Sequence, residues 1–365
     1  MSIRILHAAD LHMDSPFYSL PEEKAAERRR EQRALLERLA AAAEEKRAQI
    51  VLLAGDLFDS AASYWETTEA LTRVLSDIKA EIFIAPGNHD YYTNRSPYAF
   101  MELPANVHIF KTPQLRSVEL PELNVRVWGA GFSSTSCEPL LRNFSVGKSD
   151  TTEIMVLHGD VAAESKYNAI SEADIAASGL DYLALGHVHT FSGIQRAGET
   201  CYAYPGCLEG RGFDETGPKG VITGTVAKGQ CDLSFLPIEG REYRIIEADL
   251  SESDDALAAA AEAVGDGFPR DIARLVLTGA YSGPIRVPAI LDVLEDKFYH
   301  LTVKNETHAR RGLWDGVDGD TLTGLFLSRL KTKYDESEDK ESRELLELAA
   351  RYGVAALEGR EEWRP

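Results

Sequence analysis

EIFIAPGNHDYY, Glu81 to Tyr92, sets an apolar run against a polar cluster with only a Pro-Gly bend between them. The run reads as a strand. Ordinary turn residues would close it, yet Gly87 and Asn88 are followed by an imidazole and a carboxylate, His89 and Asp90. The same punctuation recurs along the chain: IRILHAA leads to Asp10 and His12, IVLLAG to Asp56 and Asp59, EIMVL to His158, and YLALG to His187 and His189. Between the first three strands lie two helical stretches, Pro21 to Arg47 and Thr67 to Lys79, with apolar residues at helical spacing. Strand, helix, strand, helix, strand predicts parallel pairing with right-handed crossovers. In such sheets the carboxyl ends of the strands face one crevice, so donors far apart in sequence converge there.

From Val107 to Pro237 strands outnumber helices, as in VHIF, VRVWGAG, CYAYPG, GVITGTV and LSFLPI. A second sheet packed on the first, with helices outside, gives an α/β protein with a four-layer α/β/β/α sandwich over residues 1–237. Residues 238–310 alternate as REYRIIEADL, DALAAAAEAV, DIARLVLTG, VPAILDVLED and YHLTVKN, which predicts a smaller β-α-β-α-β domain. Residues 311–365 form a C-terminal helical segment in which LFLSRL and LLELAARYGVAAL carry apolar stripes around an acidic loop, DESEDKES. Such stripes serve either packing within the chain or a partner's coiled coil.

Composition narrows the function classes. No apolar run approaches the roughly 18 residues of a membrane span, and MSIRILHAADLHMD reads as a first strand in place of a secretion signal, so the expected address is the cytoplasm. Cys137, Cys201, Cys207 and Cys231 include no CxxC, which predicts reduced, half-buried thiols. The net charge of −20 excludes a protein that grips nucleic acid by its overall field. Binding DNA would require local basic patches, bound cations or a partner. The run ERRREQR, Glu27 to Arg33, reads as a solvated helix face.

Carboxylates, one side-chain amide and imidazoles, with no thiolate among them, suit hard to borderline divalent ions: manganese first, with magnesium, iron or zinc also compatible. Asp10, His12, Asp56, Asn88, His158, His187 and His189 are too many donors for one ion and enough for two, if a carboxylate such as Asp56 bridges. Two ions about 3.5–4 Å apart would activate a water and clamp the oxygens of an in-line phosphoryl displacement. His89 then serves as proton donor or charge stabiliser, and Asp90 orients His89 or a neighbouring ligand.

In this order, DLH, GDLFD, GNHD, LHG and GHVH resemble the five motifs of the calcineurin-like metallophosphoesterase superfamily, over about residues 1–237. ILHAADLHMDSP, AGDLFD, and YPG followed by GFDETGPKG are similar to the SbcD-like DNA-repair exonucleases, which partner an SbcC-like coiled-coil ATPase. That resemblance implies one manganese at Asp10, His12 and His189, another at Asn88, His158 and His187, Asp56 between them, and His89 as the catalytic histidine. It also implies DNA as substrate, a capping domain that positions the duplex, and C-terminal helices docked on the ATPase; the oligomeric state, a homodimer included, stays open. Two positions depart from the pattern. Asp59 stands where many SbcD-like nucleases have a histidine, which predicts weakened exonuclease action, and Cys207 stands where serine is frequent, which predicts a lost phosphate or backbone contact. Turnover of nucleotides or other small phosphoesters, and a scaffold subunit with a vestigial site, are the competing functions.

Overall fold

The computed structural model describes residues 2–357 except 61–62, 149, 309–312, 315–320 and 338. In chain order the elements are β1 (Ile3–Ala8), α1 (Glu22–Glu45), β2 (Ile50–Leu53), α2 (Trp65–Asp77), β3 (Glu81–Ile84), β4 (Val107–Ile109), β5 (Arg116–Leu120), β6 (Val125–Gly129), β7 (Thr152–His158), α3 (Glu172–Ala177), β8 (Tyr182–Gly186), β9 (Gln195–Ala197), β10 (Thr200–Ala203), β11 (Gly220–Ala227) and β12 (Gln230–Pro237). They build two six-stranded sheets, ordered β12-β11-β1-β2-β3-β4 and β5-β6-β7-β8-β10-β9. Strands β1 to β4 run parallel, as do β6, β7, β8 and β10, with antiparallel strands at the margins.

The layers follow from side-chain alternation. Ile5, Ile50, Leu52 and Phe83 turn towards Val127, Ile154, Val156 and Tyr182 of the other sheet, forming the core between the sheets. Their neighbours Leu6, Val51, Leu53 and Ile82 turn the other way, onto Leu36, Leu39, Leu71 and Val74 of α1 and α2. On the far side Met155, Leu157, Leu183 and Leu185 pack with Ile175 of α3. Strands covered on both faces need uninterrupted apolar sequence, which is why IVLL and YLAL do not alternate with polar residues. The expected helix, sheet, sheet, helix order is therefore present.

Register sets the height of the functional loops. Ala8 pairs with Leu53 and Leu53 with Ile84, so the first three parallel strands end level with one another. His158 pairs with Gly186, which brings the ends of β7 and β8 level as well. His7 is buried within this framework: its Nδ1 lies 2.8 Å from the Tyr182 hydroxyl and its Nε2 3.1 Å from the Leu185 carbonyl.

The chain divides into two compact units, the first comprising residues 1–245, 268–273 and 298–300, the second 246–267, 274–297 and 301–365. The first unit thus runs past Pro237, because the tail of the β12 region and the opening of the next strand remain with it. Strands β13 (Tyr243–Asp249), β14 (Phe268–Thr278) and β15 (Phe298–Asn305) form a three-stranded sheet, and α4 (Ala256–Val264) and α5 (Val287–Leu294) intervene in the sequence. In the second unit α6 (Leu322–Glu336) and α7 (Lys340–Leu357) pack on each other, with Gly353 against the Phe326 ring where a Cβ would collide. Much of DESEDKES is thereby drawn into the helix ends.

One expectation fails in this fold. Cys201 of β10 and Cys231 of β12 are joined as a disulfide, Cα to Cα 6.8 Å, whereas the absence of a CxxC predicts four reduced thiols. The two lie in different sheets, and their separation of 30 residues carries no spacing signal. Cys137 and Cys207 are free and buried.

Candidate metal centre

Each donor stands where a strand has just ended, and several stand on backbone that ordinary residues avoid. Ten non-glycine residues among those described have positive φ, and four are predicted ligands: Asp10 (53°), His12 (43°), Asp56 (50°) and His187 (110°). A positive φ is uncommon outside glycine and marks functional loops held by their surroundings. The holding is visible here. The backbone N–H of Asp10 donates to Gly55 O at 3.0 Å and that of His12 to Asp56 O at 2.9 Å, which ties the first loop to the second.

The seven predicted ligands come together. Three overlapping clusters, Asp10–His12–His189, His12–Asp56–His89 and Asp56–His158–His187, each have ligand atoms within 4.8 Å of one another. Asp56 Oδ2 is 3.8 Å from His12 Nε2 and 3.3 Å from His158 Nε2, between the two predicted sets. Asn88 Oδ1 lies 2.9 Å from His158 Nε2. The Asp10 carboxylate accepts the His187 N–H at 3.0 Å, which ties the HxH loop to the first strand. Gly87 approaches Asp56 so closely that a Cβ would strike its carboxylate, and Gly55, at φ +88°, makes room for the His158 ring. These contacts explain two motif glycines.

The donors fit divalent cations on an observation independent of any family. His12 and His189 face each other with their Nε2 atoms 3.3 Å apart. His12 has its Nδ1 on Asp59 Oδ1 at 3.1 Å, so that Nδ1 carries the proton and Nε2 presents a lone pair, while His189 Nδ1 lies 2.7 Å from Glu215 Oε1 and 3.0 Å from Arg211 Nη2. Two imidazole nitrogens directed at one spot beside two buried carboxylates make a donor set that suits a divalent cation.

Electrostatics agree with that geometry. Burial lowers His12 to about 4, keeping it neutral. Burial raises Asp10 to about 6. Against the cost of burial, the imidazoles of His158, His12 and His89 hold Asp56 well below the usual carboxylate range. His158 is raised to about 9: burial opposes its charge, but Asp56 and Asp10 outweigh it.

His89 is exposed, unlike the ligands around it, and its Nδ1 donates to the backbone carbonyl of Asp59 at 2.9 Å. That bond turns Nε2 away from the loop. Asp90 has a different task from the one expected. Its carboxylate accepts the N–H groups of Leu57 at 2.7 Å, Phe58 at 3.3 Å and Gly87 at 2.7 Å, together with the Tyr98 hydroxyl, and it does not hold the His89 ring. It stitches the GNHD loop to the GDLFD loop, because a fully buried carboxylate takes the nearest unpaired backbone donors. Asp90→Ala is expected to strand those donors and cost about 3–5 kcal/mol of stability, read as a lower urea midpoint at unchanged slope.

Several participants had no sequence signal or a misread one. Arg211 and Glu215, in the loop between β10 and β11, enter the site from the side: Arg211 Nη1 is 3.0 Å from Asp59 Oδ1 and Nη2 is 2.6 Å from Glu215 Oε1. The ERRREQR run is more than a solvated face. Arg28 is fully buried and pairs with Glu209, while Gln32 Nε2 donates to the His12 carbonyl at 3.2 Å. Both share the stripe of Leu35, Leu36 and Leu39, so helical spacing alone would have placed them inward. Cys207 does not lose its backbone contact: it is buried, with Sγ 3.4 Å from the His189 carbonyl.

Comparison with known proteins supplies the family. The chain is 27% identical over 349 residues to YhaO, an uncharacterized metallophosphoesterase of Bacillus subtilis (strain 168), covering 90% of this chain and 84% of the relative. It is 30% identical over 226 residues to the DNA double-strand break repair protein Mre11 of Aeropyrum pernix, covering 56% of this chain and 53% of that protein. Among solved structures, TT1561 of Thermus thermophilus aligns with TM-score 0.39 at 13% identity, over 63% of this chain and 100% of that one. A dimetal phosphatase from Danio rerio aligns with TM-score 0.40 at 13% identity, over 65% and 99%. The model of the calcineurin-like phosphoesterases matches residues 3–191, just over half of the chain and every strand end that carries a predicted ligand, and the chain therefore belongs to that family of metallophosphoesterases.

Proposed function

We propose that the protein is a two-cation phosphodiesterase acting on DNA ends and hairpins, the nuclease subunit of a cytoplasmic SbcC–SbcD-like repair complex. The observation that carries the phosphodiesterase reading is the buried Asp56 carboxylate, set between two groups of nitrogen and oxygen donors. The partial similarity to the Mre11 repair protein supports DNA as the substrate class. Manganese is taken as the ion from the resemblance to the SbcD-like nucleases, and the mixed nitrogen and oxygen donors suit magnesium, iron or zinc as well.

Divalent cations held there would lower the pKa of a water and set positive charge against the phosphate oxygens. The chain's own residues do the rest. Asp10, His12 and His189 hold one side of the pocket, and Asn88, His158 and His187 hold the other. His89, fixed through Nδ1–H to the Asp59 carbonyl, presents Nε2 to the phosphodiester and, as the imidazolium, would give the Nε2 proton to the departing oxygen and be left as the neutral Nδ1–H ring. The exposed Leu322, Leu325, Leu345, Leu348 and Tyr352 of α6 and α7 offer the apolar face on which a coiled-coil ATPase would dock. Net charge of −20 makes the free chain's grip on DNA weak, and that partner would strengthen it.

A second reading, hydrolysis of nucleotides or small phosphoesters, is favoured by the net charge of −20, which opposes a polyanion more than a small ester. The purified chain with manganese chloride, assayed on double-stranded, single-stranded and hairpin DNA beside bis-p-nitrophenyl phosphate, separates the two. Cleavage of DNA ends that His89→Ala reduces by about a hundredfold or more is the expected result. Turnover confined to the small ester would overturn the DNA assignment, and activity equal in His89→Ala would overturn the site.

A further inference from the structure

Arg211 lies where neither the ligand set nor the proposed proton donor accounts for it. Its guanidinium spans two carboxylates that each carry an imidazole ligand. Asp59 Oδ1 takes His12 Nδ1 at 3.1 Å and Arg211 Nη1 at 3.0 Å; Glu215 Oε1 takes His189 Nδ1 at 2.7 Å and Arg211 Nη2 at 2.6 Å. The two halves match: one carboxylate oxygen, one imidazole nitrogen and one guanidinium N–H in each. Arg211 Nη2 also reaches the ring directly, 3.0 Å from His189 Nδ1. Glu215 Oε2 closes the far end by accepting the Arg211 backbone N–H at 2.8 Å and Nε at 3.2 Å. Only a planar fork reaches both carboxylates at once; an ammonium is a point charge that satisfies one.

On this geometry, and resting on the two-cation reading above, we infer that Arg211 is a positioning residue that clamps Asp59 and Glu215 together and so holds His12 and His189 as a preset pair for one of the two cations. Asp59 is then no mere replacement of a histidine. Its charge faces inward, taken up by His12 and Arg211, and the clamp compensates what an unpaired aspartate would set against a phosphate. Asn88, His158 and His187 have no contact with the clamp: Asn88 and His158 bond each other, and His158 Nδ1 is directed to the Ala54 carbonyl at 3.0 Å. The effect is accordingly one-sided.

Titration of the full-length, metal-stripped chain with manganese chloride, followed by calorimetry, reads this directly. Arg211→Met is expected to weaken one of two binding events by about ten- to a hundredfold and to leave the other within about threefold, the range typical when a partner of a ligating imidazole is removed. Arg211→Lys should fall between, since it retains one arm of the clamp. Should Arg211→Met fail to melt cooperatively, Asp59→Asn and Glu215→Gln each cut one arm and are expected to weaken the same single event. Two unchanged events, or two events weakened alike, would overturn the clamp. A wild-type chain that takes up no manganese would remove the two-cation reading itself, a result distinct from an unaltered Arg211→Met isotherm.

Discussion

Replacing Asp56 by asparagine is expected to lower manganese-dependent hydrolysis of a phosphodiester by about a thousandfold or more, equivalent to about 4 kcal/mol of lost transition-state stabilisation. The change keeps the volume and leaves Oδ1 able to accept the His89 N–H, a bond of 2.9 Å. What it removes is the negative charge between His12 and His158. A neutral amide bridges two divalent cations poorly, so the charge needed to hold both together is lost. Activity on bis-p-nitrophenyl phosphate and the count of bound manganese report the two consequences separately. Near-wild-type turnover at saturating manganese would show that Asp56 does not lie between two ions.

The second large effect concerns pH. In the metal-free protein His158 is held at about 9 against its burial, chiefly by Asp56 and then Asp10, and its contacts suit the charged form. Nδ1 is directed to the Ala54 carbonyl and Nε2 to Asn88 Oδ1, two acceptors that together call for an imidazolium. A cation on this side must displace the Nε2 proton. Well below the pKa of about 9, each unit of falling pH costs tenfold in apparent affinity, and since the ring is half protonated at pH 9, binding at that site is expected to be about fiftyfold weaker at pH 7 than at pH 9. Under pH 6 a further loss begins as Asp10, raised to about 6 by burial, takes up its own proton. Calorimetry at several pH values, in buffers of different ionisation enthalpy, should register release of about one proton at pH 7 to 8. Affinity that is flat from pH 7 to 9 would mean that His158 is neutral before the metal arrives.

The layered fold and the ligand-bearing loops were legible for one shared reason. A strand buried on both faces must be written as a continuous apolar word, and IVLL, EIFI and YLAL each stop abruptly at a polar group with donor chemistry. Sequence order then places those groups on one sheet edge. Second partners obey no such rule. Glu215 reaches His189 from 26 positions away and Arg211 reaches Asp59 from 152 away, through a loop without periodicity. Nothing local marks them. Arg28 and Gln32 are an intermediate case: their helical stripe was visible, but the charges around them concealed that it points inward. Asp90 was singled out and its partners were not, because which backbone N–H groups lack a mate is settled by the meeting of two loops. The Cys201–Cys231 pair likewise depends on how two sheets face each other.

The left-handed turns at Asp10, His12 and Asp56 bear on how such a pocket arises and persists. Aspartate, asparagine and histidine are the side chains that tolerate this bend best after glycine, and they are also oxygen and nitrogen donors. A loop selected merely to make the corner therefore already carries coordinating chemistry. A substitution at these positions meets resistance twice over, once from the ion it would unseat and once from the polypeptide's own shape.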